Sequence, residues 1–143
     1  MERVERSALV PYSAEQMYQL VADIPRYPEF LKWCGGTEIL SSEGETLTAS
    51  ITIAFKGLHK SFTTCNRMRP HESISVQLVD GPFSYLEGSW LFIPLDDTAS
   101  KIELDLSFDF SSRVLSKIVG PVFSQIANSQ VEAFHRRAQQ LYD

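Results

Sequence analysis

The chain has 143 residues, of which 43% are hydrophobic and 22% charged, and its formal net charge is −5 at pH 7. This length and composition predict one globular domain over residues 1–143, and the acidic charge speaks against a DNA-binding protein, whose surface is usually strongly basic. The chain has no run of the roughly 20 apolar residues that span a membrane, no cleavable apolar segment at its start and only two cysteines, so we expect a cytoplasmic protein with reduced thiols.

The first third of the chain predicts one strand followed by two short helices. Apolar and polar residues alternate over residues 4–11, which is typical of a strand. Ser13 is followed three residues later by Gln16, a capping box that predicts a helix ending at Pro25. Residues 26–34 are rich in aromatic side chains and predict a second short helix or a turn, and Gly35-Gly36 predicts a break.

From residue 37 to residue 110 the hydrophobic period changes to two, which is typical of antiparallel strands with one solvated face. Six strands are predicted in direct succession, over residues 37–40, 46–55, 58–69, 73–78, 85–93 and 101–110. Residues 41–44 and Lys56-Gly57 predict tight turns. The imperfect alternation within 58–69 predicts a β-bulge.

The last segment, residues 112–143, predicts a long amphipathic helix. Its apolar residues recur every three or four positions, as one face of an α-helix requires: Leu115, Val119, Phe123, Ala127, Val131, Phe134, Ala138 and Leu141. Gly120-Pro121 predicts a break, because proline lacks an N–H and clashes inside a helix. We therefore expect a lead-in helix at 113–119, able to move against a main helix at about 121–142 and open one end of the fold.

This order of elements predicts an α+β fold. A sheet of seven antiparallel strands buries its apolar face by curving around the one long helix, whose apolar stripe also needs cover, and two short helices lie between strands 1 and 2. The inner faces carry an excess of aromatic residues, and two interpretations stay open. These side chains either fill a continuous core or leave an elongated apolar pocket, for which Ala49, Gly88 and Ala127 make room.

Residues with catalytic chemistry are sparse. His59, His71 and His135 are far apart in the sequence, without partners at metal-ligand spacing, and we predict that they lie on two turns and on the polar face of the last helix. Cys34 predicts a buried small hydrophobe in preference to a reactive thiol. We therefore expect a protein that is not an enzyme and requires neither a metal nor a cofactor.

Three motifs together resemble the coenzyme Q-binding START-domain family of the polyketide cyclase/START-like superfamily. They are Tyr-Pro-Glu-Phe-Leu-Lys-Trp-Cys at 27–34, Asp-Gly-Pro-Phe at 80–83 with Leu-Glu-Gly-Ser-Trp-Leu-Phe at 86–92, and the segment 122–142. Each motif is weak by itself, but the three are specific in combination and extend over essentially the whole chain. Lys32 occupies a position where many relatives have proline, which predicts a different local shape there.

The resemblance implies a helix-grip (START/Bet v 1-like) fold with a hydrophobic cavity between the sheet and the last helix. It also implies binding of ubiquinone or a related isoprenoid lipid in support of respiration. The chain has no leader rich in Arg and Ser, so it resembles the bacterial branch, to which toxin-like inhibition of ribosomal subunit association has been assigned. Resemblance and strand pattern together predict this cavity lining: Trp33, Phe55, Phe62, Phe83, Leu86, Trp90, Phe92, Phe108, Phe123, Ile126, Ala127 and Phe134.

Three functions follow from these observations. The first is non-enzymatic binding of a quinone or isoprenoid in the cavity by a monomer that makes peripheral membrane contact. The alternative is a toxin-like inhibitor that binds the large ribosomal subunit through its basic residues, for which the candidates are Lys56, Lys60, Arg67, Arg69, Arg136 and Arg137. The third is a cyclase-type enzyme, which the superfamily includes.

Overall fold

The computed structural model describes all residues 1–143 and consists of one antiparallel sheet, two α-helices and one 3-10 helix. The strands are β1 (Glu2–Val10), β2 (Cys34–Glu43), β3 (Thr46–Phe55), β4 (Leu58–Arg69), β5 (Ser73–Asp80), β6 (Phe83–Asp96) and β7 (Ala99–Phe110). Helix α1 (Ala14–Ala22) and the 3-10 helix (Ile24–Glu29) lie between β1 and β2, and helix α2 (Arg113–Tyr142) follows β7. The strand order β1-β7-β6-β5-β4-β3-β2 confirms the predicted seven-stranded α+β architecture.

The predicted capping box begins helix α1. The Gln16 backbone N–H donates to Ser13 Oγ over 3.1 Å, and the Ser13 backbone N–H donates to Gln16 Oε1 over 2.9 Å. The backbone N–H groups at the start of a helix have no acceptor within it, and the capping box provides acceptors for two of them. The helix ends before Pro25, which occupies the first turn of the 3-10 helix, where its missing N–H is not needed.

Strand β2 differs from its prediction at both ends. It runs from Cys34 to Glu43, so Gly35-Gly36 is not a break and residues 41–43 are not a turn. A register shift between Cys34 and Gly36 leaves Gly35 without a partner on β3, and the pairing continues from Gly36 with Thr52. Because β2 is at the edge of the sheet, its polar residues stay exposed, and the strand therefore lacks the apolar alternation on which the prediction depended.

The inner strands agree more closely with their predictions. The Lys56-Gly57 turn between β3 and β4 is confirmed, and both residues have positive φ, as a two-residue hairpin turn requires. A register shift does occur beside β4, but the extra residue is Val79 on β5, since Thr63 pairs with Asp80 and Thr64 with Leu78. Strand β5 continues to Asp80, beyond its predicted end at 78, and β6 runs from Phe83 to Asp96, beyond its predicted bounds of 85 and 93.

The predicted break in the last helix is absent. Helix α2 is continuous from Arg113, with Ser112 Oγ accepting from the Leu115 N–H over 3.1 Å, and Pro121 lies inside it. Pro121 removes one backbone donor and faces solvent, whereas Val119 and Gly120 beside it are buried against the sheet. Packing on both sides of the proline therefore maintains the helix through the position where sequence alone predicts a break.

The sheet curves around α2, and one close approach between strands depends on a glycine. A Cβ on Gly88 would lie 2.4 Å from the backbone oxygen of Asp105 on β7. No side chain is accommodated at that distance, so Gly88 permits the tight β6–β7 contact and does not enlarge a pocket. Phe108 on β7 and Phe134 on α2 are fully buried between the sheet and the helix.

Candidate functional site: an apolar cavity under helix α2

A cavity of about 110 Å³ lies between the concave face of the sheet and helix α2. Of the 21 residues that line it, 17 are hydrophobic, and they come from α1, the 3-10 helix, strands β3–β7 and α2. Such a concave apolar site with a few polar groups is the usual form of a small-molecule site. A larger depression of about 730 Å³ on the opposite sheet face has mostly polar walls, including the Arg3–Asp105 ion pair, and does not suit an apolar ligand.

The structure brings eight of the twelve predicted lining residues to this cavity. They are Trp33, Phe62, Leu86, Trp90, Phe123, Ile126, Ala127 and Phe134. The side chains come from the segment after the 3-10 helix, from β4 and β6, and from successive turns of α2. Ala127 has the smallest side chain among the α2 residues of the wall, so it leaves space between the helix and the sheet.

The other four predicted residues do not line the cavity. Phe83 stacks on Phe110 with ring centroids 5.2 Å apart, and Phe108 packs edge-on against Phe123 at 4.8 Å. Phe92 packs edge-on against Tyr18 at 5.7 Å, and Phe55 lies on a groove at the surface. Phe83, Phe92 and Phe108 therefore belong to the packed core beside the cavity, because stacked or edge-to-face partners occupy the space next to their rings.

Sequence reasoning missed the polar residues of the cavity wall. Thr64 and Asn66 on β4 are 3% and 6% exposed, and Thr64 Oγ1 donates to Asn66 Oδ1 over 2.9 Å. Across the cavity, Trp33 Nε1 donates to Gln130 Oε1 of α2 over 3.1 Å. The signal was present, because Thr64 and Asn66 alternate in phase with Phe62 on the apolar face of β4.

The cavity wall is electrically neutral. None of its lining residues is Asp, Glu, Lys, Arg or His, and its other hydroxyl groups belong to Ser89 and Tyr27. The Tyr27 hydroxyl donates to the backbone oxygen of Val21, and burial raises the pKa of this phenol far above its usual value, so it stays protonated. The site therefore offers apolar contact and neutral hydrogen bonds, without a fixed charge.

A second, outer groove of about 240 Å³ adjoins the cavity and is formed by α2, the end of β3 and the segment 30–33 that follows the 3-10 helix. Trp33 and Ile126 line both spaces, so these two side chains form the wall between the cavity and the surface. Phe30 and Phe55 provide apolar walls of the groove, and Lys32 lies at the groove and not in the cavity. A ligand longer than one ring would reach the outside past Trp33.

The predicted positions of the histidines are partly wrong. His59 lies on strand β4 instead of a turn, whereas His71 occupies the β4–β5 turn. His135 packs edge-on against Tyr12 at 6.2 Å, and its Nε2 is buried without a hydrogen-bond partner, so it is not on a solvated face. Cys34 is buried, as predicted, and burial raises the pKa of its thiol, which disfavours the reactive thiolate.

Several of the basic residues proposed for ribosome contact are already paired. Arg137 is only 15% exposed, donates to Glu29 over 3.0 Å and lies over the Phe30 ring at 4.9 Å. Arg136 pairs with Glu132 one turn away. The polar face of α2 therefore presents less free positive charge than its sequence indicates.

The fold and the cavity together define a class of protein. A curved seven-stranded sheet around one long C-terminal helix, with an apolar cavity between them, is the helix-grip or START/Bet v 1-like fold. Residues 10–135 match the family described as polyketide cyclase / dehydrase and lipid transport. The chain belongs to this family, and the resemblance drawn from its three motifs is confirmed.

Named relatives cover almost the whole chain. A Vibrio cholerae protein named ribosome association toxin RatA is 47% identical over 142 residues, which are 99% of both chains. A Xenopus laevis protein named coenzyme Q-binding protein COQ10 homolog B, mitochondrial, is 29% identical over 99% of this chain and 60% of its own length. The crystal structure of the Zhui aromatase/cyclase from a Streptomyces species superposes with a TM-score of 0.86 at 15% identity, over 97% of this chain and 94% of that one.

Proposed function

We propose that the protein binds a neutral hydrophobic ligand of the ubiquinone class in the cavity under α2, and that it binds this ligand without transforming it. The observation that carries the proposal is the uncharged cavity between the sheet and α2, in which 17 of 21 lining residues are hydrophobic. The wall contributes no carboxylate, imidazole or amine for acid–base chemistry, and we therefore favour binding over a cyclase-type reaction. A role in respiration follows from this ligand class. No helix of the chain is both long enough and apolar enough to cross a membrane, and peripheral contact with one stays a prediction.

The volume of the cavity constrains how such a ligand lies. A cavity of about 110 Å³ is close in size to an engineered cavity of roughly 150 Å³ that binds benzene, so it accommodates one ring. The ring therefore occupies the cavity, and an isoprenoid tail leaves past Trp33 and Ile126 into the outer groove. Burial of roughly 100 Å² of apolar surface contributes about 2.5 kcal/mol before the costs of association are subtracted.

Quinone extraction tests this function. Protein purified from a quinone-producing host is expected to carry ubiquinone that organic solvent extracts, and Trp90→Ala is expected to reduce the amount several-fold. Trp90 lines the cavity and packs edge-on against Phe134 at 5.4 Å. Leu91→Ala is the matched control, because the next residue of β6 points to the exposed face. Chromatography of the extract that finds no quinone, with no uptake of added quinone, contradicts the proposal.

Ribosome association is the second candidate function, and a different observation favours it. The Vibrio cholerae relative named for ribosome association matches 99% of this chain at 47% identity. A contact with RNA or a ribosomal protein requires an outer surface, and Lys60 and Arg69 of β4 are cations without an acidic partner. We propose that the chain binds the large ribosomal subunit through its outer surface, to which both of these exposed cations contribute.

Sedimentation of a lysate tests the second candidate. The overproduced chain is expected in large-subunit fractions of a sucrose gradient, and Lys60→Glu with Arg69→Glu is expected to move most of it to the top. Lys101→Glu is the control, since Lys101 lies on β7 and already pairs with Glu103 over 3.0 Å. Absence of the unmodified chain from ribosomal fractions refutes this function and leaves ligand binding untouched.

A further inference from the structure

Asn66 is the most deeply buried carboxamide in the protein, and it faces an apolar cavity. It lies on β4 in the middle of the sheet, paired with Leu47 of β3 and Val76 of β5, and only 6% of its surface is exposed. Buried polar side chains in folded proteins are almost always hydrogen-bonded, because an unpaired donor or acceptor loses its solvation without compensation. The side chain of Asn66 therefore needs partners for both ends of its amide.

Only one end of this amide has a partner within the protein. Thr64 Oγ1 donates to Asn66 Oδ1 over 2.9 Å, whereas Asn66 Nδ2 makes no hydrogen bond to the chain. Each carboxamide nitrogen carries two N–H donors, so Asn66 directs unused donors at the cavity it lines. The Thr64 hydroxyl orients the amide by engaging its oxygen.

Gln130 repeats this arrangement from the helix side. Its Oε1 accepts from Trp33 Nε1 over 3.1 Å, and its Nε2 has no protein partner. Asn66 on the sheet and Gln130 on α2 both line the cavity, so two opposed walls each present an amide nitrogen whose oxygen is already engaged. The two amides thus offer a ligand N–H donors and not acceptors.

We infer that Asn66 Nδ2 and Gln130 Nε2 form a donor subsite for carbonyl oxygens on a neutral, ring-bearing ligand, with Thr64 and Trp33 as the residues that orient the two amides. The inference rests on the proposed binding function and specifies which ligands satisfy it. A quinone carries carbonyl oxygens on opposite sides of one ring and offers an acceptor to each wall. A fatty-acid carboxylate fits poorly, because no cation lines the cavity to compensate its charge.

The test compares two single-ring probes of nearly equal size, duroquinone (tetramethyl-1,4-benzoquinone) and durene (tetramethylbenzene), by equilibrium dialysis against the full chain. The unmodified protein is expected to bind duroquinone roughly tenfold more tightly, since only duroquinone carries acceptors for the buried donors. Asn66→Leu is expected to remove most of this preference while retaining affinity for durene. Asn128→Leu, on the outer face of α2 where the amide bonds Arg6 and Ser124, is expected to change neither affinity.

A second variant and a spectroscopic measurement keep the test independent of folding defects. Thr64→Val combined with Asn66→Leu removes both partners of the buried pair, so that neither is left unsatisfied. In nitrogen-15 spectra of the unmodified chain, duroquinone is expected to shift the signal of the Asn66 side-chain amide, and durene is expected to leave it in place. Equal affinity for both probes, or an unmoved Asn66 signal at saturation, overturns the subsite alone. Failure of the unmodified protein to bind either probe overturns the proposed function itself.

Discussion

Phe134→Ala is expected to lower the free energy of unfolding by about 3–5 kcal/mol, the range observed when a buried aromatic ring is truncated. Phe134 is 0% exposed and lies where three parts of the fold meet. Its ring centroid is 5.5 Å from Tyr27, 5.4 Å from Phe30 and 5.4 Å from Trp90, each in edge-to-face geometry. Truncation removes all three contacts and enlarges the existing cavity. The sheet and the helix are held apart by the rest of the core, so they cannot move together to fill the added space.

Urea denaturation followed by circular dichroism measures this change. Leu141→Ala is the control on the same helix, because about half of Leu141 is exposed and its truncation is expected to change stability by less than about 1 kcal/mol. If Phe134→Ala and Leu141→Ala lower the free energy of unfolding equally, the contacts of Phe134 with the sheet and the 3-10 helix do not stabilise the fold as proposed.

Ala127→Leu is expected to abolish ligand binding, by at least about a hundredfold, while the protein stays folded. Ala127 is 2% exposed and lines the cavity from α2. A leucine side chain placed in a space of about 110 Å³ leaves no room for a ring. Each added methylene group that fits the cavity contributes about 0.8 kcal/mol, so the free energy of unfolding is expected to stay constant or rise. Most substitutions that abolish function lower the free energy of unfolding instead.

Equilibrium dialysis with duroquinone, a single-ring quinone without a tail, and a thermal unfolding curve are the two measurements for Ala127→Leu. Ala133→Leu is the matched control for this tail-free probe, because Ala133 lies on the same helix but faces the outer groove and not the cavity. Loss of binding together with a lower melting temperature indicates overpacking and a displaced helix instead of a filled cavity. Binding that persists in Ala127→Leu places the ligand elsewhere and contradicts the cavity as the site.

The same variant also separates the two proposed functions. The cavity is enclosed by the sheet and α2, whereas a ribosome would contact outer residues such as Lys60 and Arg69. If the functions are independent, Ala127→Leu sediments with ribosomal subunits like the unmodified chain. If the ligand controls the ribosomal interaction, the filled cavity alters sedimentation as well, and the two activities are linked through one site.

Much of the architecture could be predicted because it depends on neighbours in the sequence. The alternation along β3 and β7, the Ser13–Gln16 capping box and the Lys56-Gly57 turn are all local patterns, and each has a local physical cause. The apolar stripe of α2 likewise predicts a face that must be covered, and seven strands with one apolar face are the only other part of the chain able to cover it.

The errors have a common origin in contacts between distant residues. The edge position of β2 keeps its polar residues in the sheet, and packing on both sides of Pro121 maintains a helix that the proline by itself would interrupt. Arg137 is taken out of solvent by Glu29, 108 residues away in the chain. None of these partners can be identified from the pattern around the residue concerned.

The amino-acid sequence by itself determined the strands, the helices, the family and the set of side chains that face inward. Only the tertiary structure decided which of those side chains fill the core and which border a cavity, because a cavity is the space that several elements leave between them. Leu106 and Phe108 follow the same alternation along β7, yet only Leu106 reaches the cavity. Tertiary structure also made Asn66 a candidate ligand contact. Its amide oxygen accepts a hydrogen bond from Thr64 and the surrounding wall is apolar, so its amide nitrogen is left as a donor for a ligand.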